Sequence, residues 1–251
     1  MNNRLKTKII DAKGLGYREL NKFVKDAANK GAKNIHLTNV NGQRYIGTGV
    51  NGTPKINING VPGNDLGAFM DGCSIDVSGN GEDGIGNTMN SGRIVINGNA
   101  GDILGYSMRG GEIFAKGNVG YRVGIHMKSY KSMYPVIIIG GHARDFLGEY
   151  MAGGLLIVLG LNRENKHSTV GTYCGTGMHG GKIFIRGNVE SWQLGKEVRV
   201  YKPNKDDFNL IEKYLRVYCR LFSLDFNSII KTSFTKLLPG SSRPYGKLYA
   251  Y

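Results

Sequence analysis

Cysteine, proline and long apolar runs are scarce in this sequence, and each scarcity excludes a class of protein. The three cysteines, Cys73, Cys174 and Cys219, lie far apart without a CxxC pair, so we expect small apolar core residues rather than disulfides, zinc or iron–sulfur ligands. Only 6 prolines accompany 39 glycines without a G-X-Y period, which excludes collagen and favours tight turns. No apolar run approaches the ~18 residues that cross a bilayer. Residues 1–11 lack the apolar core of a signal peptide, so we expect a cytoplasmic location.

The positive charge is concentrated at the two ends of the chain. The formal net charge is +14, yet residues 46–181 hold 10 basic and 10 acidic side chains. Residues 1–45 hold 10 basic against 3 acidic, and residues 182–251 hold 13 against 6. A basic protein can bind nucleic acid or a membrane surface. Because the excess is terminal, we favour docking on an acidic partner.

A repeat of 19 residues organises the middle of the chain. Strand-like starts are separated by 19, 19, 19, 24, 19 and 27 residues, and they fall at Ile56, Ile75, Ile94, Ile113, Ile137, Leu156 and Ile183. A Gly-x-x-Met series runs in phase with them, with methionines at Met70, Met89, Met108, Met127, Met151 and Met178. Insertions within residues 128–134 and 162–173 explain the two irregular steps. Asn80, Asn99, Asn118 and Asn188 occupy a turn position that also recurs.

The length of this unit decides the fold class. Nineteen residues are too few for a βαβ unit or a propeller blade. They fit one coil of a solenoid. We therefore predict an all-β fold, a single-stranded right-handed parallel β-helix of about seven coils with terminal capping helices. Its predicted divisions are an N-terminal cap (1–45), the β-helix (46–200) and a C-terminal helix with an extended arm (201–251).

Two amphipathic segments supply the predicted helices. The first covers residues 17–32, with Gly31 as its stop signal and an apolar face of Leu20, Phe23, Val24, Ala27 and Ala28. The second starts at Asp206 or Asp207 and turns Phe208, Ile211, Leu215, Cys219 and Phe222 inward. We expect residues 236–251 to form an extended arm outside the core.

Several patterns suggest chemistry, and each has a simpler structural interpretation. The two G-x-G-x-x-G matches, Gly47/Gly49/Gly52 and Gly175/Gly177/Gly180, precede strands, whereas a dinucleotide site needs a helix. Asp65, Glu82, Asp83 and Asp102 do not recur as calcium ligand sets. The methionines suit packing better than a soft-metal site. Asp145 and Glu149, beside His142 and Arg144, form the nearest carboxylate pair for polysaccharide cleavage. We favour a coil corner there, and leave His126, His167 and His179 unassigned.

The segment Gly98–Asn118 resembles the GXGXG domain, which the C-terminal part of the glutamate synthase large subunit shares with one subunit of formylmethanofuran dehydrogenase. The resemblance covers residues 15–190, and Gly148–Gly154 (GEYMAGG) is most similar to the glutamate synthase version. A cysteine commonly stands there in place of Gly148. In that family the β-helix holds no reactive residue and braces the glutaminase domain against the FMN-dependent synthase domain.

The resemblance implies a non-catalytic structural subunit of a split glutamate synthase, which makes two glutamates from glutamine, 2-oxoglutarate and a reductant. Its expected partners are the glutaminase and FMN-binding synthase subunits. FMN and iron–sulfur clusters would lie in those partners, and this chain would hold no catalytic, cofactor or metal site. The alternatives are the formylmethanofuran dehydrogenase subunit of the same fold, a basic nucleic-acid-binding module, or a carbohydrate-active β-helix protein.

Overall fold

The computed structural model describes residues 7–50, 52–161 and 168–242. The strands are β1 (Thr7–Asp11), β2 (Asn34–Asn41), β3 (Lys55–Val61), β4 (Ser74–Val77), β5 (Arg93–Ile96), β6 (Glu112–Ala115), β7 (Val136–Ile139), β8 (Ala152–Val158), β9 (Gly180–Arg186), β10 (Val198–Tyr201) and β11 (Phe234–Pro239). The helices are α1 (Tyr17–Asn29), α2 (Lys205–Phe222) and α3 (Phe226–Ile230), with a 3-10 turn at Ser191–Gln193.

All eleven strands form one sheet in the order β1-β2-β3-β4-β5-β6-β7-β8-β9-β11-β10. Strands β1 to β9 pair in parallel with their sequence neighbours, and the seven predicted strand starts lie opposite one another in register. The parallel β-helix is thus confirmed, with about six turns. The ladder also extends back to Ile35, which pairs with Ile56 and was not predicted.

The interior of the solenoid is filled by repeated side chains. All six methionines of the predicted series are completely buried, which confirms their packing role. The glycines three positions earlier have φ between 67° and 71°. A Cβ on Gly148 would lie 2.6 Å from Ile183 Cδ1, and one on Gly67 would lie 2.7 Å from Ile94 Cδ1. These glycines therefore combine a left-handed backbone with close packing against a later coil.

The first insertion folds back on itself, with mutual backbone hydrogen bonds between Tyr130 and Met133. Residues 162–167 of the second insertion, including His167, lie outside the described residues.

The N-terminal helix is confirmed and closes the interior of the first turn. Helix α1 connects β1 to β2 and buries Leu20, Val24 and Ala27 in the same cluster as the inward strand residues. Gly31 follows the helix with φ of 79°, as its stop-signal role predicts. Phe23 was predicted on the buried face, but it is 40% exposed because it lies at the margin of that face.

Helix α2 was predicted to cap an end of the solenoid, but it packs instead against the outer face of the sheet, which is apolar there. Its buried residues Ile211, Leu215, Tyr218 and Phe222 form a second apolar cluster, separate from the interior, with outward side chains of β5 to β9. Those outward side chains include Val95, Phe114, Ile138, Ile157 and Phe184. A solenoid with one apolar outer face needs such a cover, because water would otherwise meet that face.

The start and inward face of α2 differ from the prediction. Asn204 caps the helix and accepts the backbone N–H of Asp207, while the Asp207 carboxylate accepts the backbone N–H of Asn204. Asp207 is therefore the third residue of the helix and closes a capping box, rather than starting the helix. Phe208 was predicted to face inward but is 47% exposed, because it lies in the first helical turn, before Ile211, the first buried α2 residue of the second apolar cluster.

The predicted C-terminal arm is wrong for residues 236–239. They belong to β11, which pairs antiparallel with β9 on one side and β10 on the other, and Leu237 is completely buried. Strand β11 thus covers the edge that β9 would otherwise expose. Residues 243–251 lie outside the described residues.

Candidate docking surface

The glycine-rich stretches that match G-x-G-x-x-G are coil corners. Gly47, Gly49 and Gly52 have φ of 73°, 61° and 87°, and β3 follows them. Gly175 and Gly177 have φ of 71° and 68°, and β9 begins at Gly180. Both stretches precede strands, as predicted, so they do not present the helix N-terminus that a pyrophosphate requires.

In the turns, carboxylate and amide oxygens accept backbone N–H groups of the next coil. Asp102 donates its backbone N–H to Asp83 Oδ1 at 2.7 Å, and Tyr121 donates its own to Asp102 Oδ1 at 2.8 Å. The same bond links Asn99 N–H to Asn80 Oδ1 at 2.9 Å. Of the other two acids considered for calcium, Asp65 accepts the side-chain amide of Asn87 and Glu82 is exposed. The side-chain oxygens of Asn80, Asp83 and Asp102 thus satisfy backbone donors of the next coil, which gives these turns a structural account.

The carboxylate pair considered for polysaccharide cleavage is divided between two structural roles. Asp145 Oδ1 accepts the backbone N–H of Thr172 at 2.8 Å. Glu149 Oε2 lies 2.9 Å from Arg122 Nε, and the Glu149 side chain is only 10% exposed. Arg144 donates to the Tyr121 hydroxyl at 3.2 Å.

The three cysteines are buried core residues. Burial raises the pKa of Cys73 and of Cys174 to about 12, so both thiols stay protonated near neutral pH. Burial raises the pKa of Cys219 as well. Within residues 7–50, 52–161 and 168–242, no group of three or more His, Cys, Asp or Glu side chains could hold a metal ion. None of the helices described is long and apolar enough to cross a membrane.

Each coil corner has a central glycine, which is Gly47 in the first corner and the glycine of the Gly-x-x-Met series in the others. Residues with a left-handed backbone lie on both sides of this glycine. Two positions before that glycine, φ lies between 51° and 70° at Tyr45, Asp65, Gly84, Ile103, Arg122, Phe146 and Tyr173. Two positions after it, φ lies between 51° and 68° at Gly49, Phe69, Thr88, Ser107, His126, Tyr150 and Gly177. We call these the upstream and downstream columns. Sequence reasoning missed both columns, because only a few of their members are glycine.

In the later coils these columns form two stacks of side chains. In the upstream column the Arg122 guanidinium lies 4.8 Å from the centre of the Phe146 ring, which stacks on Tyr173 at 5.0 Å and 11°. In the downstream column His126 stacks on Tyr150 at 5.2 Å and 10°.

Three further side chains lie beside the two stacks, and the Arg122–Glu149 ion pair connects the upstream stack to the residue before Tyr150. Tyr106 meets the edge of His126 at 6.0 Å, and Arg144 lies 5.3 Å from the centre of the Tyr121 ring. We call the whole set the aromatic-arginine face, and its members are Tyr106, Tyr121, Arg122, His126, Arg144, Phe146, Tyr150 and Tyr173.

These features define a parallel solenoid whose interior is filled by side chains. The GXGXG motif family model matches residues 24–240, and the chain belongs to this family. The uncharacterized protein MJ1350 of Methanocaldococcus jannaschii is 46% identical over 249 residues, which cover 96% of this chain and 95% of that protein.

A solved structure shares the fold. It is a chain in the formyltransferase/hydrolase complex (FhcABCD) from Methylorubrum extorquens in complex with methylofuran, with a TM-score of 0.60 and 19% identity. The match covers 86% of this chain and 88% of that chain. At this identity the likeness establishes the fold alone.

Proposed function

We propose that this chain is a non-catalytic assembly subunit of a multi-subunit enzyme. The observation that carries the proposal is the filled solenoid: its inward residues pack against one another along the coils, and the carboxylates considered for catalysis, Asp145 and Glu149, bond to other coils. A solenoid with a filled interior can contact other subunits only through the side chains of its outer surface. A domain of the same fold within a solved enzyme complex supports this role.

We propose a split glutamate synthase as the particular enzyme. The support is the GEYMAGG segment, Gly148–Gly154, which resembles the glutamate synthase version of the domain. In this proposal the glutaminase and FMN-binding synthase subunits are the partners, and they supply the FMN and iron–sulfur clusters. This chain would contribute no cofactor, and the complex would be cytoplasmic.

A second candidate is a formylmethanofuran-related complex. The observation in its favour is the fold match to the FhcABCD structure, which spans most of both chains. The sequence resemblance to the GXGXG-domain subunit of formylmethanofuran dehydrogenase points the same way.

Reconstitution tests the leading proposal against the second. The purified chain is mixed with the glutaminase and synthase subunits, and glutamate formation from glutamine, 2-oxoglutarate and reductant is measured alongside size-exclusion chromatography. We expect co-elution and a rise in glutamine-dependent activity, whereas the chain alone releases no ammonia from glutamine and binds no FMN. Co-elution with formylmethanofuran dehydrogenase subunits instead would favour the second candidate. Ammonia release by the chain alone would refute the non-catalytic role.

A further inference from the structure

The aromatic-arginine face combines backbone strain with bulky side chains. A left-handed backbone is less favourable than a right-handed one for any residue with a side chain. The same columns use glycine at Gly49, Gly84 and Gly177, so the fold itself accepts glycine there. At Phe146 and Tyr173 the upstream column carries aromatic side chains instead. This left-handed geometry recurs in every coil, and at the aromatic-arginine face it positions large side chains that stack on one another.

The stacking geometry limits what this face can bind. Phe146 lies between Arg122 and Tyr173, and near-parallel rings 5.0 Å apart cover each other's faces. His126 and Tyr150 cover each other in the same way. Nucleobases and sugars bind aromatic side chains through open ring faces. The face therefore presents mostly ring edges, tyrosine hydroxyls and guanidinium groups, a combination enriched in protein–protein interfaces.

The charged groups of the face are arranged with the cations outermost. The Arg122 side chain is 48% exposed, while that of its partner Glu149 is 10% exposed. Arg144 is exposed. The neighbouring carboxylates of Asp102 and Asp145 bond to backbone N–H groups of the next coil. An incoming surface thus meets guanidinium groups before it meets carboxylates, which favours an acidic partner.

We propose that the aromatic-arginine face is the docking surface for a partner protein subunit, whose contact area combines apolar side chains with Asp or Glu carboxylates. The proposal rests on the proposed function and adds the face and the chemistry of its partner. The arginines pair with the partner's carboxylates, and the aromatic edges fill its apolar area. Tyr173, 55% exposed, and Tyr121, 40% exposed, supply accessible rings of this face.

Two variants of the face and two matched controls test the proposal. Tyr173→Gly removes an exposed ring at φ of 57°, a geometry that glycine adopts readily. Its control is Phe69→Gly, because Phe69 is also 55% exposed and has φ of 56°, but lies in an earlier coil. Arg144→Glu reverses a charge beside Tyr121, and Arg18→Glu does the same beside Tyr17, to whose hydroxyl Arg18 donates at 3.1 Å.

Binding of each purified protein to the glutaminase and synthase subunits, and to formylmethanofuran dehydrogenase subunits, is measured by calorimetry. Thermal unfolding of every variant confirms the fold. We expect each face variant to weaken binding at least about tenfold, while each control changes it less than about twofold.

The outcomes separate this inference from the proposed function. If the wild-type chain binds a subunit set and the face variants bind it equally well, the docking surface is wrong and the assembly role stands. If the wild-type chain binds neither set, both are wrong. A single-stranded RNA oligonucleotide serves as a third probe. Tight, salt-sensitive RNA binding that Arg144→Glu abolishes would overturn the protein partner in favour of nucleic acid.

Discussion

Replacing Asp207 by asparagine tests how helix α2 is held on the solenoid. The Asp207 side chain is 1% exposed, with its Oδ1 2.9 Å from Lys182 Nζ and its Oδ2 2.7 Å from Lys236 Nζ. These contacts connect α2 to β9 and β11. An asparagine keeps a similar shape but removes the charge that both ammonium groups face.

The expected loss of stability follows from the pKa of this carboxyl. Burial alone would raise the pKa of Asp207, but hydrogen bonds from Lys236, Lys182 and the Asn204 backbone outweigh it and lower the value from 3.8 to about 2. A shift of this size corresponds to roughly 2–3 kcal/mol of stability near neutral pH. Breaking a buried ion pair costs about 3–5 kcal/mol. Because Lys182 is 37% exposed and can return to water, we expect about 3 kcal/mol for Asp207→Asn.

The pH dependence has a definite sign. Since the pKa of Asp207 is lower in the folded protein than in the unfolded chain, its contribution is complete above about pH 4–5. It is lost progressively as the pH falls through about 2. Wild-type and Asp207→Asn proteins should therefore differ most near pH 7 and converge towards pH 2.

Urea unfolding followed by circular dichroism, at several pH values, measures this difference. Asp206→Asn is the matched control, because Asp206 is the preceding residue of the same helical turn and is exposed. We expect it to change stability by less than about 0.5 kcal/mol. A difference between wild-type and Asp207→Asn proteins that stayed constant from pH 7 to pH 2 would refute the ion-pair reasoning, as would equal stability at pH 7.

Three further substitutions test the packing in unfolding experiments. Tyr218→Phe removes a buried hydroxyl that donates to a β6 carbonyl at 3.2 Å, and we expect a loss of about 1 kcal/mol; no loss would mean that this bond adds nothing. Gly148→Ala places a Cβ 2.6 Å from Ile183 Cδ1 at φ of 67°, so we expect a loss of about 1–2 kcal/mol, whereas Gly16→Ala, with open space around it, should be nearly neutral. Equal effects of the two alanines would contradict the glycine account. Met108→Ala leaves a cavity in the interior, and we expect a loss of about 2–5 kcal/mol; a smaller loss would indicate a loosely packed interior.

The sequence indicates where the outer face of the sheet becomes apolar, although this signal is easily missed. The residue that follows each strand start changes from Asn57 and Asp76 to Val95 in successive coils, and these residues lie in register. The apolar run continues through Phe114 to Phe184. This change coincides with the strands that α2 covers. A polar-to-apolar switch at one repeat position thus predicts a cover, but not which segment provides it.

The candidate surface was harder to predict than the fold. The 19-residue period brings equivalent positions together, so Arg122, Phe146 and Tyr173 could be aligned from sequence alone. Their left-handed backbone could not be inferred, because the columns mix glycine with bulky residues. The stacking of His126 on Tyr150 depends on side-chain directions that this backbone sets.

The sequence by itself determined the solenoid, its register and its buried methionine and glycine ladders. The physical reason is that each coil contacts mainly its neighbours, so one short period repeats the same local contacts along the chain. Only the tertiary structure decided where residues 205–239 pack. Helix α2 could have capped an end, yet it covers β5 to β9, and β11 returns to the edge of β9. Those placements depend on surfaces made by residues far apart in sequence, as when Tyr218 reaches the carbonyl of Ala115, and no local period encodes such a contact.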